Sequence, residues 1–148
     1  MGFNYRMTNV QAALGLAQFE HFEEMIQRRR ENANFYKHLL QNTPGIILPI
    51  EHHDVKNVYW MFAILVNKNF GLKRDQLMQR LLVKGIETRT FFIPLHQQPI
   101  LKKMGLKFKN EYPVAENIAP RGMYLPSGSG LKKEEIEYIG RTIKDIQK

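Results

Sequence analysis

Val58-Tyr59-Trp60-Met61-Phe62-Ala63-Ile64-Leu65-Val66 is the longest apolar run in the chain. β-Branched and aromatic side chains fill it, which predicts a β-strand. It is apolar on both faces, so it is expected at the centre of a sheet covered on both sides. It is also far too short to span a membrane.

Downstream of this strand, Arg74–Lys84 repeats apolar residues at Leu77, Leu81 and Leu82, a short amphipathic helix closed by Gly85. Ile86–Phe92 reads as the next strand, stopped by Pro94. Residues 95–111 read as irregular, with room for one helical turn. Pro113–Ile118 reads as helical, and Met123–Leu125 as a short strand before Pro126-Ser127-Gly128-Ser129-Gly130. Ile136, Ile139, Ile143 and Ile146 step at helical spacing and predict a final amphipathic helix.

Upstream, Ile46-Ile47-Leu48 follows the turn-forming Asn42-Thr43-Pro44-Gly45 and predicts a short strand. Before it, Thr8-Asn9-Val10-Gln11 has the form of a capping box. No proline interrupts the chain from there to about Leu40, so one long helix is expected. Val10, Leu14 and Ala17 share a stripe, which Phe22, Met25, Ala33, Tyr36 and Leu40 continue with a shift of phase. The opening turns are small or apolar nearly all round, and Gly15 there is expected to admit a close backbone neighbour. Such a helix head needs a partner surface.

The expected fold class is therefore α/β in the α+β two-layer sense. A long N-terminal helix precedes a small sheet of three or four strands with helices packed on it. The chain of 148 residues is 43% hydrophobic and 24% charged, which excludes a disordered polymer. It has no cysteine, so disulfides, thiolate metal sites and cysteine nucleophiles are excluded. The formal charge of +8 fits phosphate or nucleotide-sugar ligands and also nucleic acid. No nucleic-acid reader motif accompanies it, so a nucleic-acid partner is not expected. No signal-like or membrane-spanning pattern is seen, and a cytoplasmic location is the expectation.

Four blocks carry a resemblance. Gly2-Phe3-Asn4-Tyr5-Arg6-Met7-Thr8-Asn9 with Gln11-Ala12-Ala13 is one, and Gly85-Ile86-Glu87-Thr88-Arg89 with Phe91-Phe92 is the second. Pro94-Leu95-His96 with Gln98-Pro99 is the third, and Pro113-Val114-Ala115-Glu116 through Leu125-Pro126-Ser127-Gly128 to Leu131 the fourth. In this order and spacing they resemble the closing part of the DegT family of sugar aminotransferases. The run from Gly85 to Pro99 is most similar to its perosamine synthase branch, which acts in polysaccharide and lipopolysaccharide O-antigen biosynthesis.

The resemblance implies a type I aminotransferase fold, with pyridoxal phosphate (PLP) held on a lysine of a large N-terminal domain. It implies transfer of an amino group from glutamate to a GDP-linked 4-keto-6-deoxy sugar, with PLP as electron sink. The active site is shared across a dimer interface. The expected division is residues 1–42 as interface segment and connecting helix, and 43–148 as the small C-terminal domain. The lysine domain is expected to be absent here, so no catalytic residue is assigned and the chain alone is expected to be inactive. It would pair as a homodimer or with a separate N-terminal aminotransferase chain. Relatives that replace the lysine with histidine carry out dehydration, and the deciding residue lies upstream.

Carried onto this sequence, Asn4 matches the asparagine that reaches the PLP phosphate of the other subunit. Its bland reading is a turn residue before a helix cap. Tyr5 and Arg6 are substrate-side candidates, against an interface aromatic and an ordinary ion pair. Arg89 could meet a pyrophosphate or form a rim salt bridge. His96 and Gln98 sit on the loop that would border the sugar nucleotide, and His96 reads equally as a loop histidine holding backbone. Trp60, Phe62, Phe91 and Phe92 could stack on a base, but their place in strands makes the core the expectation, and Ser127–Gly130 is expected as a turn. Arg28-Arg29-Arg30 reads as solvated charge, because consecutive helical residues fan around the axis. His52-His53-Asp54 lacks a third ligand with usable spacing, so no metal is assigned. Two further functional classes remain open at this stage: a non-catalytic nucleotide-sugar-binding module, and a basic nucleic-acid binder.

Overall fold

The computed structural model describes Phe3, residues 5–108 and residues 111–147. The N-terminal helical run is two helices, α1 over Asn9–Glu20 and α2 over Phe22–Leu40. They break at His21, whose φ of −106° and ψ of 11° leave the helical region. The break falls where the apolar stripe changes phase. The capping box forms as expected: Thr8 Oγ1 accepts from the Gln11 N–H at 3.3 Å and Gln11 Oε1 accepts from the Thr8 N–H at 2.9 Å.

Four strands make one antiparallel sheet in the order β1-β2-β4-β3. They are β1 (Ile46–Ile47), β2 (Phe62–Val66), β3 (Arg89–Thr90) and β4 (Gly122–Leu125). Phe62 pairs with Leu125, Ile64 with Met123 and Thr90 with Met123. β2 is internal, as its composition implies, but covers only the second half of the Val58–Val66 run. Its burial alternates: Phe62, Ile64 and Val66 are buried while Ala63 and Leu65 are half-buried. One face is fully covered, not both. The strand expected over Ile86–Phe92 keeps two ladder residues, extended by a bond from the Phe91 N–H to the Gly122 carbonyl.

Three helices cover the buried face. α2 places Ala33, Tyr36 and Leu40 on it, α3 (Arg74–Val83) adds Leu77 and Leu81, and α6 (Lys133–Gln147) adds Ile136, Ile139 and Ile143. The final isoleucine ladder thus delivers the core contact that its spacing predicts. α2 approaches α6 closely at Gly140, where a Cβ would sit 3.0 Å from Leu39 Cδ1. Two short helices, α4 (Pro99–Lys103) and α5 (Pro113–Ile118), lie in the connection between β3 and β4.

Gly45 fixes the entry into β1. Its φ is +77°, and a Cβ there would meet the Phe70 backbone nitrogen at 2.1 Å. Only glycine fits that crossing. Gly15 behaves differently: no atom of the chain lies within 4 Å of where its Cβ would be. The close neighbour expected at Gly15 is not supplied by the described residues, and α1 contains no buried residue.

Candidate functional site

A cleft of about 720 Å³ lies between the β3 edge and the start of α6. Met61, Ile86, Leu125, Leu131 and Ile139 make its apolar wall. Arg89 stands on that wall beside Tyr124, its ladder partner. Three carboxylates share the lining, Glu87, Glu134 and Glu135, against the single guanidinium of Arg89. Three minus one leaves the described lining net acidic by two, in a chain of formal charge +8. Such a surface disfavours a free phosphate in its interior and favours a neutral or amine-bearing group.

His96 and Gln98 lie away from this cleft, on the loop between Pro94 and α4. His96 Nε2 meets Glu116 Oε1 of α5 at 2.9 Å, and its ring stacks on Tyr112 at 4.6 Å. Phe108 approaches the imidazole edge at 6.2 Å. The Gln98 amide donates to the Ile93 carbonyl at 2.9 Å. Both side chains therefore hold the loop to its surroundings.

Tyr5 is 88% exposed and Arg6 is exposed, both ahead of α1. Asn4 lies outside the described residues. The structure thus gathers the candidates into three places: Arg89 in the cleft, His96 and Gln98 on the Pro94 loop, Tyr5 and Arg6 at the head. Of the aromatics expected in the core, Phe62 is there, whereas Trp60 is 65% and Phe92 70% exposed. Phe91 is half-buried and stacks on Tyr124 at 4.8 Å, over Gly122.

A polar network escapes sequence reading altogether. Arg30 forks onto Glu51 at 2.9 and 3.3 Å and onto the Asn57 carbonyl at 2.5 Å. The Tyr59 hydroxyl donates to Glu51 Oε2 at 2.8 Å, and Lys37 Nζ donates to that hydroxyl at 2.6 Å. The hydrogen bond from Arg30, then that from Tyr59, holds the Glu51 carboxyl below its ordinary range. Arg29 Nη1 donates to the Trp60 carbonyl at 2.9 Å and lies 3.4 Å from that of Ser127. Asn32 and Tyr36 donate to the Gly128 and Pro126 carbonyls. Burial pushes the Tyr36 phenol up. The arginine triplet is therefore not merely solvated: two of its members tie α2 to loops 21 to 98 residues away. No local spacing announces contacts at that separation.

The architecture is a mixed helix–sheet unit whose first helix leaves its apolar residues exposed. The model of the DegT/DnrJ/EryC1/StrS aminotransferase family matches residues 1–144, and the chain belongs to that family. It is 38% identical over 147 residues to the GDP-perosamine synthase of Escherichia coli O157:H7, covering 99% of this chain and 38% of that protein. With the GDP-perosamine synthase of Vibrio cholerae the identity is 34%, covering 98% of this chain and 39% of that protein. Among solved structures, DesV of S. venezuelae in complex with a ketimine intermediate superposes at a TM-score of 0.88 with 26% identity, over 99% of this chain and 38% of DesV. DesI with its TDP-sugar product superposes at 0.89 over 99% of this chain and 37% of DesI, at 24% identity, a likeness of fold. The chain thus spans 38–39% of the length of these curated relatives.

Members of this family are PLP-dependent sugar aminotransferases, and one solved relative from Streptococcus pneumoniae is described in its PLP form. The lining of the cleft holds no lysine, and Arg89 is its one cation among the described residues. No helix among the described residues is long and apolar enough to cross a membrane.

Proposed function

We propose that this chain is the C-terminal portion of an aminotransferase that moves an amino group from glutamate to a GDP-linked 4-keto-6-deoxy sugar. The observation that carries this reading is the match to GDP-perosamine synthases along 94–99% of the chain. Residues 1–42 act as interface segment and connecting helix, and 43–148 as the small domain. Asn4, Tyr5 and Arg6 complete a PLP and substrate site at a dimer interface, and the exposed apolar head of α1 is the surface that docks there. PLP, when bound by the complete enzyme, supplies the electron sink for the transfer. Arg89, His96 and Gln98 border the sugar nucleotide.

The reading is tested by a chimaera. The matching region of the E. coli O157:H7 synthase is replaced by this chain, and transamination is followed with glutamate and either GDP-linked or dTDP-linked keto sugar. Conversion of the GDP-linked sugar, lowered by Asn4→Ala through weaker PLP retention, is the expected result. A soluble chimaera that holds PLP yet prefers the dTDP sugar, or transfers nothing, sinks the proposal. The isolated chain is expected to transfer no amino group.

The apolar wall of the cleft with Arg89 on it supports a second reading, a module that binds nucleotide sugars without chemistry. A nucleotide sugar would then raise the melting temperature of the isolated chain, since a ligand of the native state stabilises it.

A further inference from the structure

Trp60 is the chain's only tryptophan, and it is 65% exposed. A strand begun at Val58 would turn it inward beside Phe62. Tyr59 prevents this. Its φ is +46°, a left-handed conformation that bulky L residues rarely adopt. The conformation is held from several sides at once: the Tyr59 ring is 2% exposed, its hydroxyl lies between Glu51 and Lys37, and its N–H donates to Asn57 Oδ1 at 2.8 Å. On the other side, Arg29 fixes the Trp60 carbonyl. The fold thus spends an unusual backbone conformation and two side-chain clamps on keeping one indole outside.

The location is also specific. The Phe62–Leu125 register, carried two residues outward, sets Trp60 beside Ser127, a residue of the cleft rim. Arg29 spans the same gap, bonded to Trp60 and within reach of Ser127. Arg29 bonds the Trp60 and Ser127 carbonyls, and Asn57 accepts from the Tyr59 N–H one residue before the indole. Among the described residues, no ring or cation stacks on the indole. An exposed flat ring whose main chain is held beside a guanidinium suits a flat ligand that stacks on it.

We infer that Trp60 is a preset stacking platform for the base of a nucleoside diphosphate. The inference rests on the nucleotide-sugar reading above and adds to it the residue that takes the base. Electrostatics orients the ligand. Arg29 is met by carbonyls and by no carboxylate among the described residues, so its charge is available to phosphates on the α2 side. The carboxylates of the cleft turn phosphates away from its interior.

The single tryptophan makes the test direct. GDP is titrated into the isolated chain while indole emission is followed, with inorganic pyrophosphate as the base-free control and melting temperature as a second readout. Saturable quenching by GDP, none by pyrophosphate, and roughly tenfold weaker GDP binding in Trp60→Leu with an unchanged melting temperature of the free variant are expected. Trp60→Tyr is expected to recover most of the loss. If GDP raises the melting temperature without quenching, and Trp60→Leu binds as well as the parent, the platform is overturned while the nucleotide-sugar reading stands. If GDP produces neither signal, the platform is overturned, and the chimaera then decides the wider reading separately.

Discussion

α1 and α2 follow one another with only His21 between them, yet they belong to different physical situations. α2 buries Ala33, Tyr36 and Leu40 to 2% exposure or less and shares its core with β2, β4 and α6. α1 buries nothing: Val10, Leu14, Leu16 and Phe19 are 59–74% exposed. α1 is the more apolar helix and yet the exposed one, so the difference in burial lies in pattern. α2 concentrates apolar residues on one stripe, which one sheet face can cover. α1 is apolar on several sides, which no single face of this chain can satisfy. The cooperative unit therefore begins within α2, and α1 is held by its capping box and its helix-favouring alanines and leucines alone.

If that contrast holds, substitutions on the core side cost much and those on α1 cost little. Gly45→Ala has the largest expected effect. A methyl placed 2.1 Å from the Phe70 nitrogen, at φ +77°, forces the β1 entry apart. A loss on the order of 3–5 kcal/mol in chemical denaturation is expected, and a loss below 1 kcal/mol would show that this crossing is soft. Next comes a matched pair of phenylalanines. Phe62→Ala removes a fully buried ring stacked on Tyr36 at 4.8 Å and should cost roughly 3–5 kcal/mol. Phe19→Ala removes a ring that is 74% exposed and should stay within about 0.5 kcal/mol. Comparable losses from both would mean that α1 packs on the core after all.

These elements also differ in how far the sequence discloses them. The capping box, the α3 stripe, the α6 isoleucines and the Gly45 turn are local patterns that form where the pattern says, except that Leu82 of α3 stays 63% exposed. The strand run from Val58 fails at its first half because the outcome there is decided by distant groups. Glu51, Lys37 and Arg29 converge on Tyr59 and Trp60, and no local window contains that information. For the same reason Arg29 and Arg30 read as solvated charge and prove to be ties between α2 and its loops. The family was legible from four short blocks. The grouping of the candidate residues was not, because Arg89 and His96, close in sequence, are separated by the turn at Pro94 into different surroundings.

The network is open to a pH test. The Glu51 carboxyl titrates below its ordinary value of 4.5 in the folded chain, chiefly through the hydrogen bond from Arg30. A depressed carboxyl pKa contributes stability that is present above the unfolded value and lost as pH falls through the folded one. Denaturation midpoints should therefore fall as pH drops below about 4.5, and part of that fall should vanish in Glu51→Gln. Because Tyr59 presets Trp60, the same acid step should shift indole emission before the core melts. An emission that changes only with global unfolding would break the link between Glu51 and Trp60.

The smallest effect is the most discriminating. Thr8→Ala removes the hydroxyl that accepts from the Gln11 N–H, and with it half of the capping box. Loss of a threonine cap costs about 1 kcal/mol of helix stability. In a helix that shares a core, that cost appears in the global midpoint. In α1, which buries nothing, it should appear only as local opening. Amide exchange of residues 9–20 should then quicken roughly fivefold while the global midpoint stays within about 0.3 kcal/mol. A midpoint that falls by the full cost would instead mean that α1 and the core unfold together. The exposed head of α1 would then belong to the same cooperative unit as α2, and its apolar surface would not be available to a partner at low cost.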